Sequence, residues 1–392
     1  MDANLAAAIE LMAVPGEAGR ESAICAELRR RLAALGVPEG CMTNDNAHRR
    51  SELAGGEVGN LIVRLDGRGR GERRMLTTHM DTVPGAVGSK PRLDGDRVRN
   101  DAPGKALGAD ARAGCACLLA AVAALVAKRG DHPPRTLVFF VQEEIGLAGS
   151  KQLDVTLLGS PLPAMAFNFD GGDAEEIANA VIGTERLHVE LSGVAAHTSR
   201  AQKGISCAVI LAEALAELER DGWVGEVQRD GGWATANLGI LRGGAGSNVV
   251  MPELYALAEC RSFDLGFRAR VLEAWRAAFR AAVERANAKA ASRGVEGRAA
   301  VSFRPGPEYP PYSLPEDAPS VLAARRAIEG LGRAPRLFRH AGGMDSCNLV
   351  TKGIPAVGLG MGDRQAHSAG EWLDVPHFLD ACRLAAALAV GG

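Results

Sequence analysis

The sequence carries almost no net charge: 45 Lys+Arg stand against 47 Asp+Glu, which leaves −2 over 392 residues. Binding to phosphate backbones needs a basic face, so nucleic acid is excluded as the main partner. The longest apolar run, residues 115–127, has 13 residues. A bilayer span takes about 20, so the run reads as part of a buried helix, and no membrane partner is expected. The opening Met-Asp-Ala-Asn lacks the basic stretch of a secretory leader, and a cytoplasmic location is expected. There the eight cysteines are expected to be reduced thiols, packing as small apolar residues. Cys115 and Cys117, two apart on a helix, do not face each other, which speaks against a metal or redox pair. No repeat of about 20–50 residues is visible. No Gly-x-Gly-x-x-Gly turn follows an early strand, which removes the usual signal for dinucleotide binding. Gly67-Arg-Gly-Arg-Gly71 lacks the lysine and following helix of a P-loop and reads as a hairpin turn.

What is present is a globular chain, 47% hydrophobic, long enough for about two to three domains. At that length no disulfide or metal is needed to hold the core. The first part alternates helical and strand patterns. Residues 3–14, 20–35 and 112–128 read as helices, and 60–65, 74–78, 136–142 and 164–169 as strands. Such alternation predicts an α/β sheet flanked by helices. Residues 184–309 read β-α-β-β-α-β, the ferredoxin-like order: strands at 186–191, 234–241, 254–261 and 299–304, helices at 205–218 and 269–291. A Pro-rich linker at 305–315 precedes a helix at 320–331, a Gly-rich loop, a strand at 356–361 and a helix at 376–390. The expectation is a discontinuous catalytic domain, 1–183 and 310–392, with an inserted α+β domain at 184–309.

Ligands of open α/β sheets bind outside the carboxyl ends of the strands. At those ends stand His79 and Asp81, Glu143 and Glu144, and Asp170. Asp110 precedes the apolar helix, and His367 follows the last strand. Neutral imidazoles with carboxylates suit zinc, cobalt or manganese, and a shared carboxylate can hold two such ions about 3.5–4 Å apart. Rival acids Asp173, Glu175 and Glu176 lie near Asp170. His377 rivals His367, but it sits at a helix start behind Pro376.

The segments Thr-His79-Met-Asp81-Thr-Val-Pro, Gly-Ala-Asp110-Ala-Arg-Ala-Gly, Glu143-Glu144-Ile-Gly, Asp170-Gly-Gly and Ala-His367-Ser-Ala-Gly-Glu371 occur in this order. In that order the chain resembles the di-zinc amidohydrolase and peptidase family of peptidase T, carboxypeptidase G and aminoacylase. Asp170-Gly-Gly and the later Gly342-Gly343-Met-Asp345 bring it nearest the peptidase T branch. The resemblance implies a zinc-peptidase-like mixed sheet with a lid. It implies one zinc on His79, Asp110 and Asp170 and a second on Asp110, Glu144 and His367. Glu143 would be the general base, and Asp81 would hydrogen-bond His79. On the lid, His197 would contact the oxyanion, and Asn248 and Arg261 the substrate carboxylate. Gly342 and Gly343 would offer backbone N–H groups to the same end of the substrate. A homodimer through the lid is also implied.

The activity implied is metal-dependent hydrolysis of an amide bond in a short peptide, with two zinc ions, or cobalt or manganese in their place. The same metals and base would serve an N-acyl-amino-acid amidohydrolase or a carboxypeptidase. A catalytically silent peptide-binding relative is a third reading, which the intact Glu143 and full ligand set oppose.

Overall fold

The computed structural model describes residues 1–51, 55–306 and 308–391. They group into two compact units, Met1–Val181 with Tyr312–Gly392, and Ile182–Pro311.

The larger unit is built on a nine-stranded mixed sheet. Its order is Met42–Asn44, Leu61–Leu65, Arg135–Phe140, Arg74–His79, Met165–Phe169, Ala356–Leu359, Glu176–Val181 and Tyr312–Ser313; Arg336–His340 also pairs with Glu176–Val181. The central four, Arg135–Phe140, Arg74–His79, Met165–Phe169 and Ala356–Leu359, are mutually parallel. Parallel strands are covered on both faces, and the first two are buried at every position. Alternation divides their side chains between two cores. Leu76, Leu137, Phe139, Phe167 and Val357 meet the helices Ala3–Met12, Ser22–Ala34, Ala109–Ala127, Pro319–Gly330 and Val375–Val390. Met75, Val138, Phe140, Ala166 and Ala356 form a smaller core with Leu158, Leu349 and Ile354.

The helix Ala109–Ala127 is apolar and long enough to cross a membrane by length and composition alone. Its residues are instead mostly buried, against Val375–Val390, Ala3–Met12 and Arg74–His79. Small residues allow that closeness: a Cβ on Gly114 would stand 2.2 Å from Thr78 Oγ1. The regular helix starts at Arg112, because Asp110 and Ala111 have non-helical dihedrals.

Three sequence expectations are corrected. Residues 67–71 do not form a hairpin, since the strands on either side, Leu61–Leu65 and Arg74–His79, both pair with Arg135–Phe140 and not with each other. The loop crosses the start of that strand. Glycine is needed there, because a Cβ on Gly67 would lie 1.8 Å from the His132 carbonyl oxygen. The Gly-rich stretch before residue 356 contains the strand Arg336–His340 and the helix Ser346–Thr351. Within the Pro-rich stretch, Tyr312–Ser313 pairs with Val181 and Ala180, while Pro307 lies outside the described residues. A separate four-stranded sheet, Asp363–Arg364, Trp372–Asp374, Arg97–Asn100 and Pro91–Asp94, was not anticipated.

The smaller unit is an antiparallel sheet in the order Gly225–Arg229, Gly232–Gly243, Glu253–Ser262, Gly183–Ser192 and Ala300–Pro305. The helices Cys207–Arg220 and Leu265–Ala291 close its own core, with Leu187, Val189, Ala256, Trp275 and Phe279 inside. The expected order gains one strand, Gly225–Arg229. It is turned back by Asp230-Gly231, both at positive φ, as a two-residue hairpin requires.

Candidate dinuclear metal centre

Because the four central strands are parallel, their carboxyl ends share one rim. Arg74–His79 ends at His79 itself, Met165–Phe169 runs into Asp170, and Arg135–Phe140 continues to Glu143 and Glu144. Asp110 reaches the same place from the irregular start of its helix, and His367 from a loop residue at φ +65°.

The geometry centres on Asp110. Its Oδ1 lies 3.0 Å from His79 Nε2, and its Oδ2 lies 3.1 Å from His367 Nε2. One carboxylate is thus shared by two imidazoles, one oxygen to each. On the His79 side, Asp170 Oδ1 is 3.8 Å from Nε2. On the His367 side, Glu144 Oε2 is 2.8 Å from Nε2. His79, Asp110 and Asp170 offer donor atoms within 4.8 Å of one another, and so do Asp110, Glu144 and His367. Two sets of three donors joined by one carboxylate match what two adjacent dications require. Further observations agree with that fit. Glu144 Oε1 and both oxygens of Asp345 are buried without a hydrogen-bond partner. Like charges this close also need a cation or protons among them.

Burial and the neighbouring charges shift these groups in different directions. Burial pushes Glu143 and Asp170 well above the usual carboxylate range, and neighbouring acids add to it. Burial raises Glu144 to about 6. Asp110 goes the other way: the hydrogen bonds from His367 and His79 outweigh its burial and hold it well below that range. In turn Asp110 and Glu144 raise His367 to about 10. Burial opposes a proton on His79, but Asp110 and Asp81 outweigh it, and its pKa rises too.

Asp81 meets His79 mainly through its main chain. Its backbone carbonyl is the atom 3.1 Å from His79 Nδ1, while its carboxylate Oδ1 is 3.5 Å away. The two carboxylate oxygens instead accept the backbone N–H groups of Glu143 at 3.0 Å and Glu144 at 3.2 Å. Asp81 therefore joins the end of one strand to the end of the next.

The rival acids have other partners. Asp173 and Glu175 form a group with His377 that could in principle hold an ion. However, Arg333 pairs with Glu175 at 3.0 Å, Arg336 with Asp173 at 3.3 Å, and Arg364 also contacts Asp173. Those acids are already neutralised, whereas Asp170 has the neutral amide of Asn168 at 3.3 Å and, as its one cationic neighbour among the described residues, His79.

Residue types alone did not reveal the role of Glu371. Its carboxylate accepts the N–H of Gly108 at 2.8 Å and of Asp110 at 3.1 Å, so it fixes the backbone of the shared aspartate. Its place four residues after His367 was the available signal. Buried Asp363 accepts the Gly172 N–H at 3.2 Å behind Asp170, and burial raises it to about 7. Asp345 is fully buried and is likewise raised to about 7 by burial. Gly342 and Gly343 are half-buried in the loop that leads to it.

The remaining expected residues, His197, Asn248 and Arg261, belong to the smaller unit. His197 and Asn248 are neighbours there. Thr198 N–H donates to the Asn248 carbonyl at 3.0 Å, and exposed His197 holds Ser199 Oγ at 2.8 Å through Nδ1. Arg261 lies on Glu253–Ser262 and donates to Glu259 at 2.7 Å.

Comparison with known proteins gives the same direction. Residues 75–390 match the family described as peptidase family M20/M25/M40. An uncharacterized protein of Bacillus subtilis, YqjE, is 29% identical over 97% of this chain and 95% of its own. The crystal structure of aminopeptidase PepT from Bacillus cereus superposes with a TM-score of 0.81 at 28% identity, covering 99% of this chain and 98% of that one. A tripeptidase from Staphylococcus aureus gives 0.82 at 26% identity, with 98% of both chains covered.

Proposed function

The chain belongs to the M20/M25/M40 peptidase family, and from that premise we propose that it is a dinuclear zinc aminopeptidase acting on short peptides. The carrying observation is the Asp110 carboxylate, with one oxygen toward His79 and one toward His367. His79, Asp110 and Asp170 would hold one ion, and Asp110, Glu144 and His367 the other. When bound, such ions polarise the scissile carbonyl and lower the pKa of water.

The rest of the chemistry belongs to the side chains. Glu143 is buried among acids that raise its proton affinity, which suits a base that must take a proton from water and pass it to the leaving amine. Asp81 holds the amide of Glu143 and so aims that carboxylate. His79 Nδ1 faces the Asp81 carbonyl, which supports Nε2 as the ligating atom. Glu371 keeps Asp110 in its shared position. His197, Asn248, Arg261, Gly342 and Gly343 are carried in this proposal as substrate contacts, and the smaller unit as lid and dimerisation element. A cytoplasmic setting is part of this proposal; there the eight cysteines would stay thiols, as in the Cys117–Cys382 pair, whose sulfurs share a hydrogen bond at 3.7 Å.

The test is a matched pair of substrates on zinc-loaded protein: a tripeptide with a free N-terminus and the same peptide N-acetylated. Chelator-sensitive release of the first residue from the free peptide alone is the expected result. Cleavage of the acetylated peptide would move the activity to acyl-amino-acid hydrolysis or carboxypeptidase action. No cleavage of either would refute the aminopeptidase reading.

A further inference from the structure

Two wholly buried charged side chains, Glu21 and Arg112, take no part in the chemistry above. Both belong to a structure that ties the N-terminal turn to the rim. Glu21 Oε1 accepts the N–H of Gly19 at 2.7 Å and of Gln142 at 3.0 Å. Arg112 Nη2 donates to the Gly16 carbonyl at 3.1 Å. That same carbonyl accepts the N–H of Thr82 at 3.1 Å, and the Thr82 carbonyl accepts the N–H of Ala18 at 3.3 Å. Thr82 follows Asp81, Gln142 precedes Glu143, and Arg112 stands two residues after Asp110. One turn, residues 16–21, is therefore fastened to three of the five segments that carry the proposed donors, those of His79, Asp110 and Glu144. Position 16 is made for the approach: a Cβ on Gly16 would lie 2.8 Å from Arg112 Nη2. Asp81 and Glu21 are the two carboxylates whose charge acts on the guanidinium.

We propose that Arg112 is a positioning residue for the metal centre. Its hydrogen bond to Gly16 and the Glu21 bonds to Gly19 and Gln142 fix the turn on which Asp81 rests. Through Asp81 they fix the amides of Glu143 and Glu144. The inference rests on the reading of His79, Asp110, Asp170, Glu144 and His367 as ligands.

Electrostatics gives this proposal a sign that can be checked. A buried cation beside a site for dications opposes their binding. If Arg112 contributed only its charge, Arg112→Gln would tighten metal binding. A positioning role has the opposite effect: binding weakens although a repelling charge has gone, by about 10–100-fold, the usual cost of removing a group that orients a ligand. Removing Arg112 alone leaves buried Glu21 without its cation, which can cost the fold itself. The double variant Glu21→Gln/Arg112→Gln lessens this, because Gln keeps an oxygen for the two amides, and Asp81, which loses the same cation, still has the amides of Glu143 and Glu144.

The experiment titrates Co2+ into wild type, Arg112→Gln, Arg112→Lys and the double variant against a chelator of known affinity. Visible ligand-field bands and circular dichroism are recorded for each. The expected result is weaker Co2+ binding and altered bands in the folded double variant and in Arg112→Gln, with Arg112→Lys between them and wild type. A folded double variant that binds Co2+ as tightly as wild type or tighter, with unchanged bands, overturns the proposal alone. A wild type that takes up no Co2+ overturns the ligand reading and this proposal with it.

Discussion

Replacing Glu371 by Gln is the sharpest probe of how the shared aspartate is held. Asp110 lies in an irregular segment: Gly108 has φ +79°, and neither Asp110 nor Ala111 has helical dihedrals. No helical ladder fixes this backbone, and the two N–H groups of Gly108 and Asp110 go to the two oxygens of Glu371. Gln offers one oxygen and turns an NH2 group toward the other N–H. One buried charge-assisted hydrogen bond is lost, which costs about 1.5–3 kcal/mol. If that cost falls on the metal-competent arrangement, affinity drops about 10- to 150-fold, since about 1.4 kcal/mol is one decade. Competition for Zn2+ with a chromogenic chelator measures it directly. Glu371→Asp is the control: it keeps the negative charge but is too short to span both amides. Glu371→Asp should therefore fail as Gln does. Recovery in the Asp variant would mean that charge, not hydrogen bonding, supports the centre. Affinity within about twofold of wild type in Glu371→Gln would refute the argument altogether.

Other consequences can be checked on the same protein. Glu143→Gln should lower kcat about 10²–10⁴-fold as the loss of a general base, with two metals per chain retained by elemental analysis; loss of metal in parallel would make Glu143 a ligand. His197→Ala should cut turnover far more than metal content, and equal losses would sink its assignment to substrate. Metal binding should release protons, because His367, raised to about 10, and His79, raised as well, hold them at neutral pH. Calorimetry in buffers of different ionisation enthalpy reads that release, and apparent affinity should climb with pH between 6 and 8; a flat profile would contradict it. The stability linkage has a definite direction too. With its folded pKa raised above the ordinary value of about 6.5, His367 stabilises the metal-free protein fully at lower pH, and this contribution disappears as pH rises through about 10. The melting temperature measured in chelator should fall over that interval for wild type and less for His367→Gln.

Much of this was legible because parallel strands leave a simple record. A buried run that ends in His79, and another that leads to Glu143 and Glu144, can be aligned by hand, since side-chain chemistry changes abruptly at the shared rim. Asp110 was legible because it stands in the turn just before an apolar helix. Other parts lay beyond the pattern for identifiable reasons. The edge strand Gly225–Arg229 is largely exposed, so it has no apolar alternation, although Asp230-Gly231 was a usable hairpin signal. The strand Pro91–Asp94 is almost wholly exposed for the same reason, and Gly95 at φ +62° marks its turn. The loop 67–71 has the glycines of a hairpin, but they serve a close crossing over His132, which only the partner strand reveals. Asp81 shows a different limit. Its spacing puts it beside His79, yet which of its oxygens meets the imidazole depends on where the Glu143 amide lies, sixty-two residues away.

The carboxylates of the larger unit sort by what neutralises them, and that sorting argues most directly for the ligand set. Asp173 and Glu175 have arginines, and Asp81 and Glu371 each have two backbone amides. Asp45 likewise accepts the amides of Ala47 and Asn60. These acids are already satisfied and need no ion. Among the described residues, the side chains that could carry a positive charge beside Asp110, Asp170 and Glu144 are the two imidazoles, which are neutral when they act as ligands; Asp170 otherwise has the uncharged Asn168 amide. Three carboxylates then lack a counter-charge, and two dications supply four positive charges to their three negative ones. The surplus of one positive charge suits a site that must hold a negatively charged oxygen during hydrolysis. A third bound cation would have no carboxylate left in this group. Titration with Zn2+ should therefore saturate at two tight equivalents per chain. The Asp173→Asn variant should keep both, while Asp170→Asn should lose one. Loss of an equivalent in Asp173→Asn instead would show that the arginine-paired acids, and not Asp170, complete the centre.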